Sequence, residues 1–162
     1  MILMQTVKVP TDELIQVVMM QIETGGVANL TVTGFSMMPL LRHLLDTVIL
    51  IPVPERLKSG DMALFQRDNG QYIMHRVIRV TKDGYLFCGD NQSELEPVRH
   101  DQVIAFVNGF IKKGKRYFLI ERSYRFYTAA CIYLFWLRKP YIAIRRRFGR
   151  IRARLARRRK KQ

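Results

Sequence analysis

The chain has 162 residues, a length that suits one domain with at most a small addition, and its 48% of hydrophobic residues is enough for a core. The two cysteines, Cys88 and Cys131, lie far apart and lack the spacing of metal ligands, which argues against a disulfide framework or a zinc site. The first residues lack the basic region and continuous apolar run of a signal peptide, and residues 17–20 are too few to span a bilayer.

The net charge of +15 is concentrated at one end of the chain. Residues 1–121 carry 13 Lys and Arg against 13 Asp and Glu, whereas residues 122–162 carry 15 Lys and Arg and no acidic residue. A neutral body is therefore followed by a cationic tail. Such a tail suits phosphate groups, either those of lipid headgroups or those of nucleic acid.

The first predicted element is an amphipathic helix within residues 1–27. Residues 10–13 provide an N-cap and an acidic first turn, and apolar residues then recur at helical spacing from Leu14 to Ile22. Gly25 and Gly26 end the run. The sequence therefore predicts one helix ahead of the first strand.

Short strand-like segments separated by turn residues occupy residues 28–120. The segments with strand character are residues 28–33, 47–51, 62–67, 71–81, 85–88 and 103–111. The sequences Asp-Asn-Gly at 68–70 and Lys-Asp-Gly at 82–84 are typical of hairpin turns. This pattern predicts a mainly β fold, either a coiled all-β sheet or a partial barrel.

The last part of the chain, residues 121–162, is expected to be a helical appendage that begins aromatic and ends basic. Its apolar stretch at 126–137 falls short of the roughly 20 residues that a spanning helix needs. The preferred interpretation is a set of interfacial helices, with arginines on anionic lipid. The second interpretation is a short or tilted membrane span. The third is a tail that binds nucleic acid.

Ser36 is the candidate nucleophile. It lies within the stretch TGFSMMP, residues 33–39, directly after a strand-like run. Gly34 permits unusual backbone angles and Pro39 disfavours helix at the residue before it, so the serine is expected on a stiff turn. Serines at strand ends are also ordinary turn formers, and that interpretation stays open.

His75 and Asp90 are the candidates for activating this serine. A serine hydroxyl is a poor nucleophile at neutral pH until a base removes its proton, and histidine has a suitable pKa for that task. A carboxylate on the other ring nitrogen would fix the tautomer and orientation of the histidine. A histidine packed on Tyr72, and an Asp-Asn turn pair at 90–91, explain the same residues without catalysis.

Four ordered stretches together resemble the sequence boxes of type I signal peptidases, which share a fold with the SOS-repressor autoproteases. They are Gly-Phe-Ser-Met-Met-Pro at 34–39, Gly-Asp at 60–61, His-Arg-Val at 75–77 and Gly-Asp-Asn at 89–91. The resemblance covers about residues 30–109. The usual bacterial members pair the serine with a lysine, whereas the endoplasmic-reticulum and archaeal type has a histidine in that place. Because His75 occupies it here, the chain is similar to the Ser-His type.

The resemblance implies a serine endopeptidase that cleaves a leader or signal-type peptide, with a preference for small residues at the first and third positions before the cut. Ser36 would attack the scissile carbonyl, His75 would take and return its proton, and Asp90 would support His75. The backbone N–H of Ser36 would form part of the oxyanion hole. Neither a metal nor a cofactor is implied. The substrate would add as a strand along the edges that carry Thr33, Gly34, Phe35 and Met74.

Two features depart from the family pattern. Many bacterial members have a serine two residues before the nucleophile as a second oxyanion donor, and Gly34 has no side chain to replace it. Losing such a donor costs on the order of 10²–10³ in rate, so a slow enzyme or a compensating backbone donor is expected. The usual N-terminal membrane anchor is also not visible. With a basic tail, this favours a membrane-associated protein with its body on the cytoplasmic face, or a cytoplasmic one.

Several alternatives remain open at this stage. His43 could replace His75 as the base, Lys82 could form a lysine dyad in a different register, and His100 is expected to be solvated. Asp61 is assigned to turn structure. A cytoplasmic repressor-like regulator and an inactive binding module with a phosphate-binding tail are the alternative functions.

Overall fold

The computed structural model describes residues 11–138 and residue 140. Its helices are α1 (Thr11–Glu23) and α2 (Arg122–Tyr133), and short 3-10 turns occupy His100–Gln102 and Phe135–Leu137. The basic run from residue 141 onward and the expected helix start at residue 10 lie outside the described residues. The strands are β1 (Ala28–Thr31), β2 (Thr47–Ile51), β3 (Met62–Gln66), β4 (Tyr72–Val80), β5 (Gly84–Cys88), β6 (Glu96–Arg99), β7 (Val103–Lys112) and β8 (Lys115–Phe118).

The described strands form one antiparallel sheet in the order β1-β2-β7-β3-β4-β5-β6. Strand β8 pairs with the second half of β7, beyond the part of β7 that pairs with β3. Irregularities interrupt the β2–β7, β3–β7 and β4–β5 ladders. Such bulges bend strands and increase their twist. The prediction of a mainly β fold is confirmed.

Two apolar clusters lie on opposite faces of the central strands. The larger one joins α1 to the sheet through side chains such as Ile15, Val18 and Leu64. The smaller one is built around Phe65 and Phe87 on the other face. Alternate residues of a strand point to opposite faces, so β3 and β4 supply both clusters.

Helix α1 has the predicted position and orientation. Ile15, Val18 and Ile22 are buried, as the helical spacing of apolar residues indicated. The helix ends where Gly25 adopts a φ of +75°, and the N–H of Gly26 donates to the carbonyl of Gln21. This left-handed residue is the usual helix stop supplied by glycine.

The six predicted strands are present, and two further strands were missed. β8 follows a tight turn at residues 113–114, and β6 contains Pro97. Proline is tolerated in β6 because this strand lies at the edge of the sheet. The sequence of β6 has no apolar alternation that would have predicted it, and this omission affects the site described below.

Helix α2 packs onto the sheet with one side and exposes the other. Tyr124 and Cys131 are buried, whereas Phe126 and Tyr133 are largely exposed, as is Trp136 in the following 3-10 turn. Among the described residues, no helix combines the length and apolar character needed to cross a bilayer.

Candidate functional site

The serine turn joins β1 to β2 and depends on two conformational features. Gly34 has a φ of +91°, in the region that favours glycine, and the Met38–Pro39 peptide bond is cis. The N–H of Gly34 donates to Nδ1 of His43 at 2.9 Å. His43, weighed above as an alternative base, therefore uses this nitrogen to hold the backbone two residues before Ser36.

Ser36 is seated against the loop that follows β5. Its carbonyl oxygen accepts the N–H of Asn91 at 2.7 Å, and the side-chain amide of Asn91 donates to the carbonyl of Phe35. A β-carbon at position 89 would lie 3.0 Å from the β-carbon of Ser36. Because Gly89 has no side chain, there is room for Ser36, the candidate nucleophile, beside it.

The serine turn contacts the end of the β4–β5 pair close to where His75 lies in β4. Arg76 pairs with Cys88, so continuing this antiparallel register by one residue places Gly89 opposite His75. Directly opposed residues of an antiparallel pair present their side chains to the same face. Ser36 therefore rests against the residue that continues β5 opposite His75, and within the described residues the two side chains share no hydrogen bond.

The imidazole of His75 is buried and neutral at physiological pH. Only 3% of the residue is exposed, and the ring packs edge-on against Phe65 with centroids 6.0 Å apart. Burial lowers the pKa of His75 to about 4, opposed by the charge of Glu96 and reinforced by that of Arg67. A neutral imidazole is the form that can accept a proton from a serine.

Asp90 is engaged by Arg76 rather than by the His75 ring. Nε and Nη2 of Arg76 donate to the two carboxylate oxygens of Asp90, each at 2.8 Å, and neither side chain is exposed. The hydroxyl of Tyr127 adds a third hydrogen bond to Asp90 at 3.0 Å. Asp90 still acts on His75 through space, where its charge slightly raises the pKa of the imidazole. Its predicted supporting role therefore stays a prediction, without a direct hydrogen bond.

Glu96 is the acidic residue nearest to His75, and sequence reasoning missed it. Its Oε2 lies 3.8 Å from Nδ1 of His75, and that nitrogen has no hydrogen-bond partner among the described residues. Arg67 binds the same carboxylate with Nε and Nη2. The signal was absent from the sequence because Glu96 starts the unpredicted strand β6.

A groove with a cavity volume of about 180 Å³ runs between β1 and β4 and reaches Ser36. One wall is formed by residues 30–33, the other by residues 72–74. Its floor is apolar and includes Ile15, Met37 and Leu64. The curled sheet therefore leaves a gap between two strands, with Ser36 at the gap.

The β4 wall offers main-chain hydrogen-bonding groups to this groove. The N–H of Val77 donates to the carbonyl of Asp61 across the β3–β4 register. Hydrogen-bonded and non-hydrogen-bonded pairs alternate in an antiparallel ladder. The main-chain groups of His75 therefore also point toward β3. Those of Tyr72 and Met74 point away from β3. β5 pairs with β4 only from Arg76 onward, so no described strand pairs with Tyr72 and Met74 on that side.

The β1 wall offers the same kind of groups. The N–H of Val32 donates to the carbonyl of Asp46 at 2.9 Å, which continues the β1–β2 pairing. By the same alternation, Thr31 and Thr33 direct their main-chain groups away from β2, on the side of β1 where no other described strand pairs. Of the predicted substrate-strand residues, Thr33 and Met74 thus lie on opposite walls of the groove, and Gly34 and Phe35 continue the β1 wall to Ser36.

Helix α2 covers the Arg76–Asp90 pair. Nη1 of Arg76 donates to the hydroxyls of Tyr124 at 2.7 Å and Thr128 at 3.1 Å. Nη1 of Arg138 donates to the carbonyl of Gly89 at 3.2 Å. The segment predicted as an appendage therefore contacts the residues on which Ser36 rests.

The remaining sequence candidates lie elsewhere or have structural partners. Lys82 is in the β4–β5 turn, at the opposite end of β5 from Gly89, and His100 packs on Tyr85. A carboxylate oxygen of Asp61 accepts the N–H of Lys58, which is the expected turn role. Within residues 11–138 and 140, no three His, Cys, Asp or Glu side chains are grouped so that they could hold a metal ion.

Comparison of the chain with protein-family models, with curated proteins and with solved structures found no match. The described residues combine a serine on a turn, a buried neutral histidine in the adjoining strand β4 and a groove between β1 and β4.

Proposed function

We propose that the chain is a serine endopeptidase of the signal-peptidase type, which cleaves an extended peptide with Ser36 as nucleophile and His75 as general base. The observation that carries the proposal is the groove between β1 and β4. It reaches Ser36 and is lined by main-chain groups of Thr33 and Met74 that pair with no strand of the described part of the chain on that side.

The substrate fits this groove as an added strand. Its main chain would pair with Thr31 and Thr33 on one side and with Tyr72 and Met74 on the other, which is β-augmentation. Successive side chains of a strand point to opposite faces, so every second residue of the substrate would face the apolar floor at Leu64. The apolar floor favours apolar side chains there, and the resemblance implies that these are small.

The chemistry follows from the protonation states. His75 takes the hydroxyl proton as Oγ of Ser36 forms a bond to the scissile carbonyl carbon. The negative charge that develops on the carbonyl oxygen is stabilised by the backbone N–H of Ser36. His75 then gives the proton to the leaving amine as the C–N bond breaks, and a water molecule hydrolyses the acyl-serine by the reverse use of the same base. Since burial keeps the pKa of His75 at about 4, the base stays unprotonated in mildly acidic solution.

The protein would act at an anionic membrane surface on the cytoplasmic side. Phe126, Tyr133 and Trp136 are 76–82% exposed on one stretch of chain, next to the arginines at 122 and 125. Aromatic side chains beside basic ones are typical of segments that lie in the headgroup region. This proposal concerns where the substrate is met, and cleavage itself does not depend on it.

The test is cleavage of peptides with small residues before the cut by purified protein, with and without vesicles that contain phosphatidylserine. Ser36→Ala and His75→Ala are expected to abolish cleavage, whereas Ser93→Ala and His100→Ala, which change the same residue types outside the site, should retain it. Activity that survives Ser36→Ala would overturn the proposal. Peptide binding without cleavage by the wild type would instead favour the inactive binding module, which would use the same groove.

A further inference from the structure

We propose that Glu96, rather than Asp90, is the acid that orients His75 and stabilises its protonated form, and that Arg67 limits how strongly Glu96 does so. The proposal rests on the proposed function for its catalytic meaning. Its structural part, the identity of the acid that faces His75, can be measured without any peptidase activity.

The first argument is the position of the unpartnered ring nitrogen. Nδ1 of His75 is buried and has no hydrogen-bond partner among the described residues. Buried polar atoms are rarely left in this state, because the lost hydrogen bond to water is not replaced. The acidic oxygen nearest to it is Oε2 of Glu96 at 3.8 Å, about 1 Å longer than a hydrogen bond. Catalytic hydrogen bonds of this kind are often long in the free enzyme and shorten when substrate binds.

The second argument is that Asp90 is fully occupied. Both of its oxygens accept hydrogen bonds from Arg76, and one of them also accepts the hydroxyl of Tyr127. Removing Asp90 from this arrangement to reach His75 would leave the guanidinium of Arg76 buried without a counter-ion, which is costly. Asp90 is therefore committed to its place in the fold.

The carboxylate of Glu96 is less enclosed than that of Asp90, whose side chain is not exposed at all. The Glu96 side chain is 23% exposed and lines an open cleft together with Arg67, on the β6 side of His75. Arg67 holds both carboxylate oxygens from the turn that follows β3. A shift of about 1 Å in this partly exposed carboxylate would bring Oε2 within hydrogen-bond distance of Nδ1.

In the reaction, the two ring nitrogens of His75 would have different partners, Glu96 at one and Ser36 at the other. Nδ1–H directed at Glu96 leaves Nε2 as the nitrogen that can accept the proton of Ser36. As His75 becomes positively charged, the carboxylate of Glu96 stabilises it. The charged groups that act on this ring are Glu96 from β6, Arg67 from the β3–β4 turn and Asp90 from the loop after β5.

The deciding experiment is titration of the His75 ring by NMR in the full chain, with isotope-labelled histidine. Glu96→Gln keeps a side-chain oxygen for Arg67 but removes the negative charge, so the pKa of His75 should fall. Arg67→Met removes the positive charge and releases Glu96, so the pKa should rise. Glu94→Gln, an exposed acid two residues away, should leave it unchanged. If Glu96→Gln and Glu94→Gln leave the pKa of His75 equally unchanged, the proposal is wrong.

The kinetic experiment adds the catalytic readout. Glu96→Gln should lower kcat by about 10²-fold with little change in KM, within the range of general acid–base effects, and Glu96→Asp should restore part of the rate. An unchanged kcat for Glu96→Gln would overturn the catalytic role. If the wild type cleaves nothing, the proposed function fails, while the two opposite pKa shifts still decide whether Glu96 faces His75. Should Glu96→Gln not fold, the Arg67→Met titration decides alone, and an unchanged or lowered pKa would contradict the proposal.

Discussion

Arg76 and Asp90 form a buried, two-point ion pair directly beside the residue proposed as general base. Burial alone would lower the pKa of Arg76, but the hydrogen bonds and charge of Asp90 raise it above its ordinary value. The guanidinium is further satisfied by the carbonyl of Gly60 at 2.9 Å and by the hydroxyl of Tyr124. Each polar atom of the pair thus has a partner, which is the condition under which a buried ion pair is tolerated.

Breaking this ion pair is expected to be strongly destabilising. Asp90→Ala leaves a buried guanidinium without its counter-ion, and such changes cost about 3–5 kcal/mol in the free energy of unfolding. Urea denaturation monitored by circular dichroism measures the loss. Asp101→Ala, which breaks the exposed pair with Arg99, is the control and should change the stability little. Similar losses for both variants would show that the buried ion pair contributes no more to stability than the exposed one.

The stability of the fold should depend on pH through His75. The pKa of this residue is about 4 when folded and about 6.5 when unfolded, so between these values the unfolded chain binds more protons. Stability therefore rises with pH in this window and is lost as the pH falls from about 6.5 to 4. The contribution is at most about 3 kcal/mol.

Urea unfolding across this pH range measures the effect. His75→Gln should flatten the pH dependence relative to the wild type, whereas His100→Gln, at an exposed site, should not. An identical slope for wild type and His75→Gln would contradict the prediction.

The backbone of the serine turn should require glycine at position 34. Gly34 has a φ of +91°, and a β-carbon added there would meet no atom within 4 Å, so Gly34→Ala adds backbone strain and no clash. The same holds for Gly70, with a φ of +83°, in the β3–β4 turn. Both alanine variants should lose about 1 kcal/mol of stability. Only Gly34→Ala should lower the cleavage rate, because only this strain is next to Ser36. Equal rates for the two variants would argue that the turn does not position the nucleophile.

The single tryptophan offers a direct test of the membrane proposal. Trp136 is 76% exposed, so its emission should shift to shorter wavelength when the protein binds vesicles that contain phosphatidylserine. Phosphatidylcholine vesicles should cause a smaller shift, because they lack the negative charge that attracts the basic tail. Phe126→Ser should weaken binding, whereas Val17→Ser, an exposed apolar position on α1, should not. An unchanged emission spectrum with anionic vesicles would exclude this role for the α2 region.

Much of the sheet was predictable from local sequence, since β-branched runs and glycine turns mark most of its strands. β6 was not predictable, because Pro97 and the charged residues around it resemble a loop, and only pairing with β5 makes the segment a strand. The proposed acid Glu96 was missed for the same reason. Its approach to His75 depends on the order of β4, β5 and β6 in space, which no local pattern encodes.

The candidate site was predictable in part. Ser36 and Asp90 were expected at turns and His75 at a strand end, whereas the structure places His75 inside β4 and Ser36 against Gly89 at the end of the β4–β5 pair. The partner of Asp90 could not be foreseen, because no local pattern in the sequence indicates that Arg76 is buried against it. Its burial requires helix α2, whose tyrosines lie some fifty residues further along the chain.

The burial of Arg76 by helix α2 has a consequence for synthesis of the protein. Tyr124, Tyr127 and Thr128 leave the ribosome after every strand of the sheet, yet they complete the surroundings of Arg76 and Asp90 beside Ser36. A nascent chain that ends at β8 has the proposed dyad but lacks the cover of its neighbouring ion pair. We therefore expect the proposed peptidase activity to arise late in translation, once α2 has emerged and docked.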